Sequence, residues 1–394
     1  MKKEFLFIVV CLLFLQFNVN ASSPAIDYLA YAKNIANSEI MRESRPDSLN
    51  LTQYNSDWNY KFALLNNAYL KLYEATQEDI YFKQVKKSAD RFLNETGVIN
   101  ANNPATYDLR NLCGGNFLYN LYYHNRGGKI YLNGMMSLRK QLYSQPRTQG
   151  RAFCFSKANK GEIRIDGLYM AMPFYCMYAA IMDEPKVFAD IVFQFTEADE
   201  KTLDERTGLN YQAWDERAVH TWADENTGTT TALFAQSIGF YMMALVDVLD
   251  YFPIDHAYRN ELNKKLNRIT KALVKHQDSK SGMWYQVVNM PKNTINFKES
   301  SSTAMFAYAI SKGVNKGYLS AKYRKNAEKA FKGLVDNCIV FDEETKSYTI
   351  TSATTDAKLE GGDGTRGFYF ELAVADNEPN AIAPFIMAAV ELAK

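Results

Sequence analysis

The chain has 394 residues with 45 basic and 44 acidic side chains, and removing the first 21 residues takes Lys2, Lys3 and Glu4 with them, leaving 43 of each. A neutral chain of this length can bury the core of one large domain or two ordinary ones. It has no general electrostatic grip on nucleic acid or on an anionic membrane.

Residues 1–21, "MKKEFLFIVVCLLFLQFNVNA", carry two lysines, then an apolar run from Phe5 to Phe17 and the small-residue step Val19-Asn20-Ala21. This is the layout of an export signal cleaved after Ala21, so a periplasmic or secreted protein with no membrane anchor is expected. Cys11 is a poor lipoprotein site, because Val10 precedes it and the apolar run continues past it. No later stretch of about 18 apolar residues reads as a membrane span.

From there on the period is helical. Tyr81, Val85, Ala89 and Phe92 share one face; so do Leu262, Leu266, Ile269, Leu273 and Val274, and so do Ile382, Phe385, Ile386, Ala389 and Val390. Between these two-faced segments stand nearly all-apolar ones, 168–182, 238–249 and 304–310, which read as buried all round. The pattern predicts twelve helices, near 24–42, 57–75, 79–94, 112–124, 130–143, 167–183, 186–197, 231–250, 257–276, 301–316, 320–337 and 379–392. Only "MWYQVV" (283–288) and "SYTITSA" (347–353) look strand-like, and both are short. Alternation of two-faced with fully apolar helices predicts an inner ring wrapped by an outer one. The fold class expected is all-α, a six-hairpin (α/α)6 barrel in one domain over residues 22–394.

Several chemistries find no support in the sequence. It contains no GxGxxG, Walker-type phosphate loop or GxSxG elbow. His124, His220, His256 and His276 have no i, i+4 partner, so no metal site is expected, and no cofactor is called for. "EGGDGTRG" (360–367) follows no strand of a βαβ unit and reads as a mobile loop. Cys113, Cys154, Cys176 and Cys338 follow no metal or redox spacing and read as buried thiols. Two features point to a site. Asp166 is a lone carboxylate at the start of the apolar helix 168–182, either a helix cap or an acid held in a partly dry place. Trp58, Trp214 and Trp222 lie in loop or helix-start contexts, where an indole can stack on sugar.

The motifs "WNYKFALLNNAYLKLYEATQEDIYF", "IDGLYMAMPF", "YQAWDERAVHTWADENTG", "QSIGFYMMALVDVL", "GMWYQVV", "ESSSTAMFAYAISKGVNKGYL" and "NAIAPFIMAAVEL" occur in this order. Together they resemble glycoside hydrolase families 88 and 105, the unsaturated glucuronyl and rhamnogalacturonyl hydrolases, over about residues 25–394. The resemblance implies the same barrel. It also implies removal of a 4,5-unsaturated uronic acid from lyase-generated oligosaccharides by hydration of the vinyl ether, with Asp166 as proton donor. Flanking Ile163, Ile165 and the apolar helix would raise the pKa of Asp166 by desolvation. Trp58, Arg110, Gln212, Trp214, Trp222, Gln236 and Ser301 fall on substrate-binding positions. The chain also departs from the family pattern. Arg110 stands in the "LDN" step with Asp108 two residues earlier, and Gln212 stands where the family has a histidine. Phe234, Gln236 and Phe240 replace tryptophan, arginine and tryptophan, and Asn380-Ala381 replace His-Gly. These changes leave two other functions open: a barrel that has lost the activity and binds sugar, or a polysaccharide lyase with a tyrosine or histidine base. Arg110 is the expected partner of an acidic group on the substrate.

Overall fold

The computed structural model describes residues 26–44, 57–124 and 128–394; residues 1–21, where an export signal is expected, lie outside the described residues. Among the described residues twelve long helices run α1 (Tyr28–Glu43), α2 (Tyr60–Thr76), α3 (Asp79–Asp90), α4 (Gly115–His124), α5 (Lys129–Tyr143), α6 (Ile165–Ile181), α7 (Val187–Thr202), α8 (Ala235–Tyr251), α9 (Arg259–Leu273), α10 (Ser300–Asn315), α11 (Arg324–Cys338) and, after the short α12 (Arg366–Phe370), α13 (Pro379–Leu392). The inner helices touch in a closed cycle: α2 packs on α4, α4 on α6, α6 on α8, α8 on α10, α10 on α13, and α13 on α2. An outer helix backs each one: α3, α5, α7, α9 and α11 back α2, α4, α6, α8 and α10, and α1 backs α13. Five hairpins are therefore local in sequence, and the sixth joins the first described helix to the last. This is the six-hairpin toroid that the alternating periods predict.

The division into rings follows from side-chain chemistry. Helix α6 is buried along almost its whole length, whereas α9 buries Leu262, Leu266, Ile269 and Leu273 and turns Lys264 and Asn267 outward. A helix with apolar residues on every side gains most where other helices surround it. Packing in the ring is tight enough to demand glycine. A Cβ on Gly115, at the start of α4, would sit 2.0 Å from the Phe174 ring, and one on Gly114 would sit 2.2 Å from Trp58. All four described cysteines are free and buried. No helix among the described residues is long and apolar enough to cross a membrane.

Strands are confined to two-stranded ribbons. β1 (Glu162–Arg164) pairs with β4 (Ala213–Asp215), and β2 (Leu203–Asp204) with β3 (Leu209–Asn210). β5 (Ile339–Asp342) pairs with β6 (Ser347–Ile350), and β7 (Ala353–Thr354) with β8 (Val374–Ala375). The strand-like 347–353 segment thus pairs locally, while 283–288 makes only isolated bridges and buries Trp284 completely. One expectation is corrected. The glycine-rich 360–367 segment is tied down: Gly362 accepts from the Thr221 hydroxyl, Gly364 accepts from Thr231, and Arg366 begins α12.

Candidate active site

The inner helices begin at one end of the barrel, and their first turns supply the site. Tyr60 opens α2, Asp166 is the second residue of α6, Gln236 of α8, Ser301 of α10 and Asn380 of α13. Their contacts close round that end: Gln236 donates to Ser301 Oγ at 3.0 Å, and Asn380 donates to Tyr60 Oη at 3.2 Å. Unpaired N–H groups at helix starts favour negative charge nearby. The segment after β7, residues 355–360, crosses this end and completes the wall.

Asp166 lies in a small recess with Tyr60, Arg110, Phe155, Arg164, Met170, Gln236, Phe240, Asp356 and Lys358. It is not a helix cap, since Arg164 occupies that position. Its Oδ1 accepts from the Gly167 N–H at 2.9 Å, and its Oδ2 accepts from Gln212 Nε2 at 3.4 Å. Burial raises its pKa, against the opposing pull of Arg164, Gln212 and the Gly167 N–H, with Glu162 adding to the rise. Gln212 is fixed in turn by the Tyr369 hydroxyl, which donates to its Oε1 at 2.7 Å.

The cations differ in how far they are neutralised. Arg164 is held by Glu162 and by Glu360 at 2.9 Å. Arg110 is gripped by Asp108, with Nε 3.0 Å from each carboxylate oxygen and a terminal nitrogen 2.6 Å from Oδ2. Both guanidinium groups flank the Phe155 ring, at 5.3 Å for Arg110 and 4.4 Å for Arg164. Lys358 is exposed. Two larger recesses of about 780 and 720 Å³ adjoin the small one, and Arg110 and Lys358 line all three. Such volumes suit a ligand of several rings.

Asp166, Arg110, Gln212 and Gln236 are therefore brought together. The charge that reaches Asp166 most directly is that of Arg164, not Arg110. The tryptophans are elsewhere. Trp58 is 4% exposed, packs against Phe62, Phe92 and Phe117, and donates to the Asn111 carbonyl at 2.8 Å. Trp222 is 3% exposed and stacked on His220. Trp214 sits on β4 with Lys201 Nζ 5.1 Å from its ring centroid. None of the three lines these recesses, which corrects the sugar-stacking expectation; aromatic lining comes from Tyr60, Phe155 and Phe240. Ser301 is buried and donates to Glu299 at 2.7 Å, so it supports Gln236 from beneath. Sequence reasoning missed Tyr60, Phe155, Arg164, Asp356 and Lys358. Only the position of Tyr60 at a predicted helix start offered a signal.

Comparison with known proteins agrees with this fold. A glycoside hydrolase from family 105 of C. acetobutylicum ATCC 824 is 32% identical and superposes with a TM-score of 0.87, over 92% of this chain and 99% of that one. The unsaturated rhamnogalacturonyl hydrolase YesR of Bacillus subtilis (strain 168) is 22% identical over 78% of this chain and 82% of its own length. The unsaturated glucuronyl hydrolase from Bacillus sp. GL1, at 13% identity and a TM-score of 0.69 over 93% and 96% of the two chains, shares the fold. With residues 31–394 also matching the family model, the chain belongs to Glycosyl Hydrolase Family 88.

Proposed function

We propose that this glycosidase is exported and removes a 4,5-unsaturated uronic acid from the non-reducing end of lyase-generated oligosaccharides. The observation that carries this reading is Asp166, a carboxyl group whose pKa is raised by burial inside a recess otherwise rich in cations. Ordinary glycoside hydrolysis uses two carboxyl groups facing each other across the scissile bond. Hydration of a vinyl ether requires one. Asp166 gives its proton to C4, positive charge develops on C5 and the ring oxygen, and water adds at C5 while returning a proton to Asp166. The hemiketal then opens and releases the remaining sugar. Arg110, Lys358 and the helix starts suit an anionic substrate.

The lyase alternative needs a base. Tyr60 is the tyrosine of the recess that holds Asp166, and burial first and Asp356 second hold its phenol well above the ordinary range. It donates to Asp356 and is a poor proton acceptor. The test uses unsaturated disaccharides and intact acidic polysaccharides, followed by the ultraviolet absorbance of the conjugated uronate. Decay on the disaccharides is expected. A rise on intact polymer would identify a lyase, and saturable binding without any absorbance change would identify a sugar-binding protein.

A further inference from the structure

We propose that Asp356 is the second working carboxylate of this site; the proposal rests on the vinyl-ether reading above. Asp356 is the one other carboxylate, among the described residues, lining the recess that holds Asp166. Its two oxygens are unlike. Oδ1 takes the Tyr60 hydroxyl, Asn380 Nδ2 at 3.3 Å and Lys61 Nζ at 3.3 Å. Oδ2 has no hydrogen bond or ion pair among the described residues, and the side chain is 25% exposed. Three donors on one oxygen fix the carboxylate plane, and the free oxygen is presented as a ready acceptor. Groups held this way lose little reorganisation energy when charge develops beside them.

The neighbouring carboxylates cannot serve. Asp108 spends both oxygens on Arg110. Glu360, whose Oε1 is shared by Arg164 and Asn159, and Glu378, bound to Lys61, lie outside the lining of the recess that holds Asp166. Asp356 is also coupled to the acid through the backbone: Gln212 Nε2 donates at 3.4 Å both to Asp166 Oδ2 and to the carbonyl of Ala357, the next residue. In the hydration step Asp166 loses its proton to C4 and regains one from the water that bonds to C5. Asp356 moves no proton. Its Oδ2 accepts a hydrogen bond from a hydroxyl of the unsaturated ring, and its charge stabilises the positive ring formed by protonation.

The test compares wild type, D356N and D356A on an unsaturated disaccharide. The amide keeps the shape and loses the charge, so D356N should lower kcat about 10²-fold, the scale of a lost preorganised contact, with KM within about threefold. A D356N kcat within about threefold of wild type overturns the proposal. If D356N does not fold, D356E keeps the charge and displaces the free oxygen; a kcat loss of about tenfold or more supports the role, and a wild-type kcat overturns it. If wild type leaves every unsaturated substrate intact, the vinyl-ether reading itself falls. Asp356 is then judged by calorimetry with saturated digalacturonate, where D356A binding about tenfold more weakly supports a sugar contact and unchanged affinity overturns it.

Discussion

The two ends of the barrel bury charge in opposite ways. At the end away from the helix starts, Lys312 is 1% exposed and lies 2.5 Å from both Asp247 and Asp250. The Tyr308 hydroxyl donates to the same Asp247. Burial alone would raise the pKa of Asp250, but Lys312 and its neighbours outweigh it and the carboxyl is held below the usual range. At the site end, burial also comes first for Asp166, yet Arg164 is already committed to Glu162 and Glu360, and the net shift is upward. The same burial thus accompanies a carboxyl held below its usual range in one place and one held above it in the other. What differs is how much of the cation's charge is left for the carboxylate. A compensated cluster holds the ring together, and an under-compensated one is available for chemistry.

The sharpest way to break this contrast is to remove the proton at the site end. D166N should leave the melting temperature unchanged and lower turnover of an unsaturated disaccharide about 10²–10⁴-fold, the contribution of a positioned general acid. Retention of more than about a tenth of the wild-type rate would show that Asp166 is not the acid. The opposite end should respond in stability and not in rate. K312M leaves Asp247 without its ammonium and Asp250 with only the more distant Lys316, at 3.8 Å, and should lower stability in denaturant unfolding by less than the about 3–5 kcal/mol of a fully buried pair, with kcat per folded molecule unchanged. The sign with pH follows from Asp250. Its lowered pKa gives stability that is present above its unfolded pKa and lost as pH falls through the folded one, so the K312M deficit should shrink in acid. The smallest effect tunes the site. Gln212 opposes the rise at Asp166, so Q212A should move the alkaline fall of kcat/KM to higher pH. The displacement should be under about one unit, because a unit is worth about 1.4 kcal/mol and a 3.4 Å contact is weak. A shift to lower pH would contradict this electrostatic account.

Much of the ring was legible because it is written in periodicity. An apolar face repeating every third and fourth residue names an outer helix, and an unbroken apolar run such as 168–182 names an inner one. Asp166 was legible as an exception to such a run. Asp356 and Lys358 were not, because they lie in an irregular crossing segment with no pattern to interrupt, and Tyr60, which donates to Asp356, is 296 residues distant in the chain. The tryptophans misled for a related reason. A loop position in sequence says nothing of the apolar side chains that other segments bring over it, as Phe92 and Phe117 do over Trp58. Helix starts were also placed early where the chain makes another hydrogen bond first. Residues 231–234 are engaged by Gly364 and by the bridge from Phe234 to Val287 before α8 begins.

The pairing of α1 with α13 sets an order of events. Local hairpins can form as soon as their two helices exist, but the sixth must join segments about 350 residues apart, the kind of non-local closure that slows folding. Tyr60 meets Asp356 and Asn380 across separations of 296 and 320 residues. The half of the site built on α2 therefore exists only after the ring has closed. Partly synthesised or partly threaded chains carry Asp166 without its opposite wall, and competence arrives in one step, late, with the last helix.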